Sequence, residues 1–311
     1  MAASGETQYL DLLSRIRDDG EVRGDRTGTG TRSLFGEQMK YDLRDGFPLL
    51  TTKKIFTRAI THELVWMLQG DSNIKYLVDH NVNIWNEWPF VSYLERTGQP
   101  IPPQDSDEWK AAMAQYLEQI KSDDAFANEN GELGPVYGYQ WRHWPDGKGG
   151  EVDQLDEAQW LIRNKPESRR IIVSAWNVGD LEEMDKSGLP PCHMFYQFYV
   201  SKGQYLDMKM FQRSADMFLG VPFNMAQYSL LLSMMAQTTD LEPRYFTHTF
   251  GDTHIYKNHL DQVDTQLSRE PYAPPTLQLN PDVHEIWDFT PEDIEVRGYQ
   301  AHPTIKAPIS I

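Results

Sequence analysis

A stretch of 23 residues without a single charge, Met217 to Thr239, constrains the fold more than any other feature of this chain. The stretch is long enough for a helix to span a bilayer. However, polar and helix-interrupting residues such as Pro222, Asn224 and Gln227 are unfavourable against lipid, whereas a core helix tolerates them when they find hydrogen-bond partners. The stretch therefore predicts a buried helix, entered through a turn with Gly220 and Pro222, inside a sizeable core.

The spacing of apolar residues elsewhere predicts interleaved helices and strands. Residues at helical spacing predict helices around 9–16, 60–68, 109–120, 152–162 and 260–267. Alternating or continuous apolar residues predict strands around 35–43, 169–176 and 245–250, and a hairpin formed by 194–200 and 205–211. We therefore expect an α+β fold with one main mixed β-sheet flanked by helices.

Domain boundaries are weakly marked in this chain. Its 311 residues are enough for one large domain or two ordinary ones. Residues 89–130 hold three basic and eight acidic residues and the pair Pro102-Pro103, which indicates an inserted small lobe. We expect a single domain over 1–311 with 89–130 as its insertion.

The charge and the cysteine count limit the partners and the compartment. The chain has 29 Lys and Arg against 46 Asp and Glu, so its net charge of −17 makes nucleic acid and anionic membranes unfavourable partners. Cys192 is the only cysteine, which excludes an intrachain disulfide and favours a reducing compartment. The first residues, MAASGETQ, have neither a basic flank nor an apolar stretch, so we expect no targeting segment and a cytoplasmic location.

Two residues are candidates for catalysis from pattern alone. Cys192 follows Pro190-Pro191 just before a predicted strand; a lone cysteine is usually an inert apolar residue, and an activated one needs a nearby positive charge that the sequence cannot place. The neighbouring His193 should point to the other strand face, which disfavours it as the activating base. Glu63 lies on the apolar stripe of its helix, where a carboxylate is either in a salt bridge or suited to acid/base work. Both interpretations of each residue stay open at this point.

Other residues suggest anion and ligand binding. Arginines occur in tight local groups that could bind phosphate, namely Arg26 before a Gly/Thr-rich loop, Arg169-Arg170, and Arg213 before Ser214. The loop is not a P-loop, because the terminal Gly-Lys-[Ser/Thr] is absent. His254 and Tyr256 share one face if extended, which suits two hydrogen bonds to one ligand or a structural pair. No His-Glu-x-x-His and no cysteine cluster is present, so we expect no metal.

Together, ordered sequence blocks cover nearly the whole chain. They are DRTGTGT (25–31), FPLLTTKK (47–54), HELVWMLQGDSNI (62–74), IWNEW (84–88), GPVYGYQWR (134–142), SRRIIVSAWN (168–177), LPPCH (189–193), FQRSADMFLGVPFN (211–224), GDTHIY (251–256) and IKAPISI (305–311). In these blocks the chain resembles the thymidylate synthase family. The resemblance implies conversion of dUMP to dTMP with 5,10-methylenetetrahydrofolate, and requires neither a metal nor a nicotinamide.

The resemblance also implies roles for individual residues. Cys192 would add to C6 of uracil, Asn224 would select the uracil edge, and Glu63 and Tyr137 would serve the proton transfers. The dUMP contacts would come from Arg26, Arg213, Ser214, Ala215, Asp216, Asn224, His254 and Tyr256, with Arg169 and Arg170 reaching in from the second subunit of a homodimer that forms through a sheet face. The folate would contact Lys53, Phe56, Trp85, Trp88, Asp216, Leu219, Gly220, Phe223 and Ser310, the last in a C-terminal lid.

The chain departs from the family pattern at Phe56, and two other functions are to be weighed against that of a thymidylate synthase. Phe56 stands where many family members carry a polar or basic residue near the folate tail, which puts polyglutamate binding in doubt. A pyrimidine hydroxymethylase of the same fold would trap the methylene intermediate with water; Asn224 disfavours a cytosine-specific one and Trp85 favours the synthase. A noncatalytic nucleotide- or RNA-binding relative is disfavoured by the set of Cys192, Glu63 and Asn224 and by the net charge.

Overall fold

The computed structural model describes residues 5–25, 28–186 and 190–309, and the chain divides into two compact units. The first unit comprises Met1–Thr61, Asp156–Val173 and Cys192–Ile311, and the second comprises His62–Leu155 and Ser174–Pro191. In chain order, the helices are α1 (Gly5–Asp19), α2 (Thr57–Leu68), α3 (Lys75–Asp79), α4 (Glu87–Thr97), α5 (Asp107–Ser122), α6 (Asp124–Asn130), α7 (Tyr137–Arg142), α8 (Gln154–Asn164), α9 (Leu181–Lys186), α10 (Gly220–Thr238) and α11 (Leu260–Leu267). The strands are β1 (Glu21–Arg23), β2 (Thr31–Phe35), β3 (Gln38–Asp42), β4 (Trp144–Pro145), β5 (Glu151–Val152), β6 (Ile172–Ser174), β7 (His193–Ser201), β8 (Tyr205–Asp216), β9 (Glu242–Tyr256), β10 (Thr276–Leu279) and β11 (Ile294–Arg297).

A seven-stranded sheet organises the first unit. Its strand order is β1-β2-β9-β8-β7-β6, and β3 also pairs with β9. β8 and β9 run parallel, whereas β2 and β3 pair with β9, and β7 pairs with β8, in antiparallel fashion. The expected α+β fold with a mixed main sheet flanked by helices is therefore confirmed.

Close pairing of β8 with β9 depends on one glycine. A Cβ atom added to Gly251 would lie 2.7 Å from the carbonyl oxygen of Arg213, closer than real Cβ contacts allow. The absence of a side chain at Gly251 therefore lets the ends of the two long parallel strands approach closely. Ser214, Ala215 and Asp216 then pair with Asp252, Thr253 and His254.

The uncharged stretch forms the buried helix that its composition predicts. In α10, fifteen of the nineteen residues are buried, so the helix has no solvent face of any width. Its polar side chains bond to backbone carbonyls: Ser229 to Met225 at 2.7 Å, Ser233 to Ser229 at 2.9 Å, and Gln237 to Asn280 at 2.8 Å. These bonds remove the cost of burying unpaired polar groups.

Two strand predictions are wrong in detail. The expected single strand at 35–43 is two strands, β2 and β3, because the chain turns at Gly36, which adopts a φ of 84°. The expected strand at 169–176 contracts to β6, because the side chain of Gln154 bonds to both the amide and the carbonyl of Ser174 and ends the ladder there.

The second unit is mainly helical. Residues 89–130 contain most of α4 and all of α5 and α6, which pack around Phe90, Trp109 and Tyr116, with ring centroids 5.1–5.4 Å from the Phe90 ring. The Ser106 hydroxyl accepts from the amide of Trp109 and caps the start of α5. The segment is thus an ordered helical layer within the larger second unit.

Candidate active site

Cys192 lies immediately before β7, and its backbone is tied to the neighbouring strand. The amide of Arg213 donates to the Cys192 carbonyl at 2.9 Å. The thiol is half-buried, and burial raises its pKa above the usual value, while the charge of Arg213 lowers it in part. The charge of Arg213 favours the thiolate, but burial outweighs it, so the resting thiol is protonated at neutral pH.

A buried chain of hydrogen bonds fixes the side chain of Asn224 in the first turns of α10. Gln212 Nε2 donates to Asn224 Oδ1 at 3.2 Å, and Gln212 Oε1 accepts from His248 Nε2 at 2.8 Å. The side chain of His193 also bonds to Asn224; burial lowers the pKa of His193 to about 4, and this bond opposes the shift. His193 is therefore neutral at pH 7 and serves as a structural partner of the amide.

The carboxyl ends of β8 and β9 present polar side chains next to α10. Asp216 Oδ1 accepts from the amides of Phe218 and Leu219 at 2.9 and 3.1 Å, which caps the turn into the helix. In the register of the two parallel strands, Asp216 of β8 stands opposite His254 of β9. The amide of Met217 donates to the His254 carbonyl at 2.9 Å. The predicted dUMP contacts Ser214, Ala215, Asp216 and His254 therefore lie side by side, and Tyr256 packs edge-on against His254 at 5.3 Å.

Lys53 is buried rather than extended into solvent. Its ammonium group bonds to the carbonyl of Phe218 and sits 3.7 Å from the centroid of the Phe218 ring. Burial lowers the pKa of Lys53 from 10.5 to about 7, and the charge of Asp216 opposes this shift. Lys53 therefore titrates close to physiological pH.

The lowered pKa of Lys53 predicts a pH-dependent stability. Between about pH 7 and pH 10 the unfolded chain binds a proton on Lys53 that the folded chain does not, so the free energy of unfolding rises with pH. Wild-type protein should therefore gain stability over this range relative to Lys53→Met, measured from urea midpoints. The neighbouring exposed Lys54 provides the control, since Lys54→Met leaves Lys53 in place and should keep the full wild-type gain. A constant difference between wild type and Lys53→Met would contradict the lowered pKa.

A second group of predicted residues comes together in the second unit. Trp85 Nε1 donates to Glu63 Oε1 at 2.7 Å. The Trp85 ring lies 5.6 Å from Trp88 and 6.0 Å from Tyr137, which is buried at the start of α7. Glu63 is half-buried on α2, and the Trp85 indole holds one oxygen of its carboxylate.

The remaining predicted residues are more scattered. Arg169 and Arg170 precede β6 and are exposed, and the Arg169 carbonyl accepts from Gln197 at 3.0 Å. Phe56 is 56% exposed just before α2. Leu219, Gly220 and Phe223 lie at the start of α10 and are half-buried. Arg26 and Ser310 lie outside the described residues.

Some residues in these groups were not predicted from sequence. Gln212 and His248 support Asn224, and Asp252 supports His254 through a 2.8 Å bond to Nδ1. Asp252 had a sequence signal, because residues two apart on a strand share a face. Gln212 and His248 meet only across the sheet. Over the described residues, no cluster of three or more metal-ligating side chains occurs, and no helix is long and apolar enough to cross a membrane.

These groups of side chains are those of an enzyme. The first unit combines a thiol near an arginine with a rigid amide, and the second holds a carboxylate against aromatic rings. Such side chains are suited to nucleophilic and proton-transfer catalysis. The chain belongs to the thymidylate synthase family, whose model matches residues 7–311. It is accordingly a methyltransferase.

Proposed function

We propose that this methyltransferase converts dUMP to dTMP and releases dihydrofolate. The co-substrate, 5,10-methylenetetrahydrofolate, supplies both the one-carbon unit and the hydride. The observation that carries the proposal is the arrangement of Cys192 beside Arg213, with Asn224 fixed next to them by Gln212. A nucleophile, a cation and an amide able to bind a pyrimidine base thus lie within one unit of a chain that belongs to the thymidylate synthase family.

Cys192 is the proposed nucleophile. Its sulfur forms a bond to C6 of the uracil ring, the electrons of the 5,6 double bond move toward O4, and C5 becomes an enolate-like carbon nucleophile. Because burial raises the pKa of the thiol, the proton must leave as the substrate binds, and the charge of Arg213 favours the thiolate at that step. Cys192 departs again when the methyl group is complete.

Asn224 is proposed to distinguish uracil from cytosine. An amide can donate to O4 and accept from N3–H of uracil, whereas cytosine offers the opposite pattern at the same two positions. Gln212 donates to Oδ1 of Asn224, and the His193 side chain also bonds to this amide, so the orientation of the amide toward the base is fixed. A rigid amide discriminates better than one that can rotate to suit either base.

Glu63 and Tyr137 are proposed to serve the proton transfers. Trp85 donates to Oε1 of Glu63 and so orients the carboxylate, which would move protons through an ordered water. Tyr137 belongs to the same aromatic group and would contribute its hydroxyl to removal of the C5 proton.

Substrate binding is proposed to follow the family pattern. Arg26, Arg213 and Ser214 would bind the phosphate, Asp216 the pyrimidine through its backbone, and His254 and Tyr256 the deoxyribose hydroxyl. The folate would pack on Trp85, Trp88, Leu219 and Phe223, with the Asp216 carboxylate on the pterin and the C-terminus as a lid. Lys53 is proposed near the glutamyl tail.

A homodimer is proposed to complete the phosphate site. β7 buries Tyr196 and Phe198 but exposes Phe195 and Tyr199, and Phe195 stacks on Phe211 of β8 with ring centroids 5.9 Å apart. Aromatic residues on an uncovered sheet face are typical of an interface. Arg169 and Arg170, exposed beside β6, would then reach the phosphate bound by the other subunit.

The direct test of the function is the product. Purified protein with dUMP and methylenetetrahydrofolate should release dihydrofolate, seen as rising near-ultraviolet absorbance, together with dTMP. Asn224→Asp offers a matched comparison, because it should lose dUMP turnover while the rest of the site is preserved. Formation of 5-hydroxymethyl-dUMP with tetrahydrofolate would instead identify a hydroxymethylase.

A further inference from the structure

A carboxylate with three hydrogen-bond donors lies behind the proposed sugar-binding histidine. Asp252 Oδ1 bonds to His254 Nδ1 at 2.8 Å, while Asp252 Oδ2 accepts from the Ser33 hydroxyl at 2.8 Å and from the Arg23 guanidinium at 2.9 Å. Ser33 stands opposite His254 in the pairing of β2 with β9. Donors on β1, β2 and β9 thus converge on the Asp252 carboxylate.

The arrangement determines which nitrogen of His254 carries a hydrogen. Burial raises the pKa of Asp252, but its hydrogen bonds from His254 and Ser33 and the charge of Arg23 outweigh this and lower the pKa below the usual value. An ionised carboxylate can only accept, so His254 Nδ1 must donate, and a neutral ring then has a lone pair at Nε2. Within the described part of the chain, the His254 ring makes no other hydrogen bond, and the residue is 8% exposed.

We propose that Asp252 is a positioning residue: it holds His254 with Nε2 as an acceptor, so that the site requires a hydrogen-bond donor at the 3′ position of the nucleotide sugar. The inference rests on the proposed binding of deoxyribose by His254. A 3′-hydroxyl donates to this lone pair, whereas a 3′-fluorine can only face it unfavourably. Asp252 touches neither the sugar nor the reacting atoms, and acts only through His254.

The Asp252→Asn variant should invert this preference. Arg23 and Ser33 both donate to Oδ2, so the amide oxygen of the asparagine stays on their side and its NH₂ group faces His254 Nδ1. Nδ1 must then accept, and the hydrogen moves to Nε2. The ring keeps its place but presents a donor to the sugar.

The experiment compares the affinities of dUMP and its 3′-fluoro analogue. In wild type the 3′-fluoro analogue should bind at least about tenfold more weakly than dUMP, and in Asp252→Asn this ratio should fall by about tenfold. Asp42→Asn is the matched control: Asp42 also pairs with an arginine, Arg44, at 2.8 Å, but lies at the end of β3 outside the proposed site, so the ratio should not change. An unchanged ratio in a folded Asp252→Asn protein would overturn the proposal.

A spectroscopic measurement tests the same point without any variant at residue 252. Nitrogen-15 spectra of histidine-labelled wild type should show His254 with hydrogen on Nδ1 and none on Nε2, with the signals assigned by their loss in His254→Gln. Hydrogen on Nε2 in a protein that turns over dUMP would reject the positioning role and leave the proposed function intact. Failure to bind dUMP at all would instead reject the proposed function, and the sugar preference with it.

Discussion

Replacement of Cys192 by alanine should abolish turnover of dUMP while leaving dUMP bound nearly as tightly as in wild type. The proposed contacts to phosphate, base and sugar come from other residues, so the variant loses only the sulfur that forms the bond to C6. We expect the turnover number to fall by at least about 10⁴-fold, the scale seen when a covalent nucleophile is removed.

Two measurements make this test decisive. Turnover is followed by release of dihydrofolate, and binding of dUMP by calorimetry on the same preparation. Since Cys192 is the only cysteine, a thiol reagent should label wild type once, and dUMP should protect it. Turnover by the alanine variant near the wild-type rate would exclude Cys192 as the nucleophile.

Mixing two inactive variants should restore activity if the phosphate site is shared between subunits. One variant is Cys192→Ala, and the other is Arg169→Ala combined with Arg170→Ala. In a heterodimer, one of the two sites would then have both an intact cysteine and intact arginines from the partner. Random exchange makes half of the dimers heterodimers, so the mixture should recover about a quarter of wild-type activity.

The matched control mixes Cys192→Ala with Arg213→Ala. Arg213 donates its amide to the Cys192 carbonyl within one chain, so both changes damage the same subunit's site from within. This mixture should produce no site with all parts intact and no recovery. Absence of recovery in the first mixture, with heterodimers shown by native mass spectrometry, would contradict the contribution of Arg169 and Arg170 to the partner.

The fold was predictable where the information is local. The spacing of Tyr9, Leu13 and Ile16 predicts α1, and the absence of charge over 217–239 predicts α10, because burial of a helix depends on which side chains it carries. The bounds of the strands were harder to predict from the sequence. Whether 35–43 forms one strand or two depends on Gly36 and on the partner strand β9, which lies more than 200 residues away in sequence.

The candidate site likewise has some properties that depend on local sequence and others that depend on tertiary contacts. Residue types and ordered motifs were enough to indicate the family and most of the side chains that the first unit gathers at the ends of β8 and β9. The sequence by itself also determined that an uncharged helix must be buried, since local composition decides the free energy of transfer from water. Protonation and orientation were decided only by the tertiary structure: burial raises the pKa of Cys192 and lowers that of Lys53, Trp85 holds Glu63, and Asp252 orients His254. These properties arise from desolvation and from hydrogen bonds between groups far apart in sequence, and such contacts exist only once the strands have paired and the core has closed.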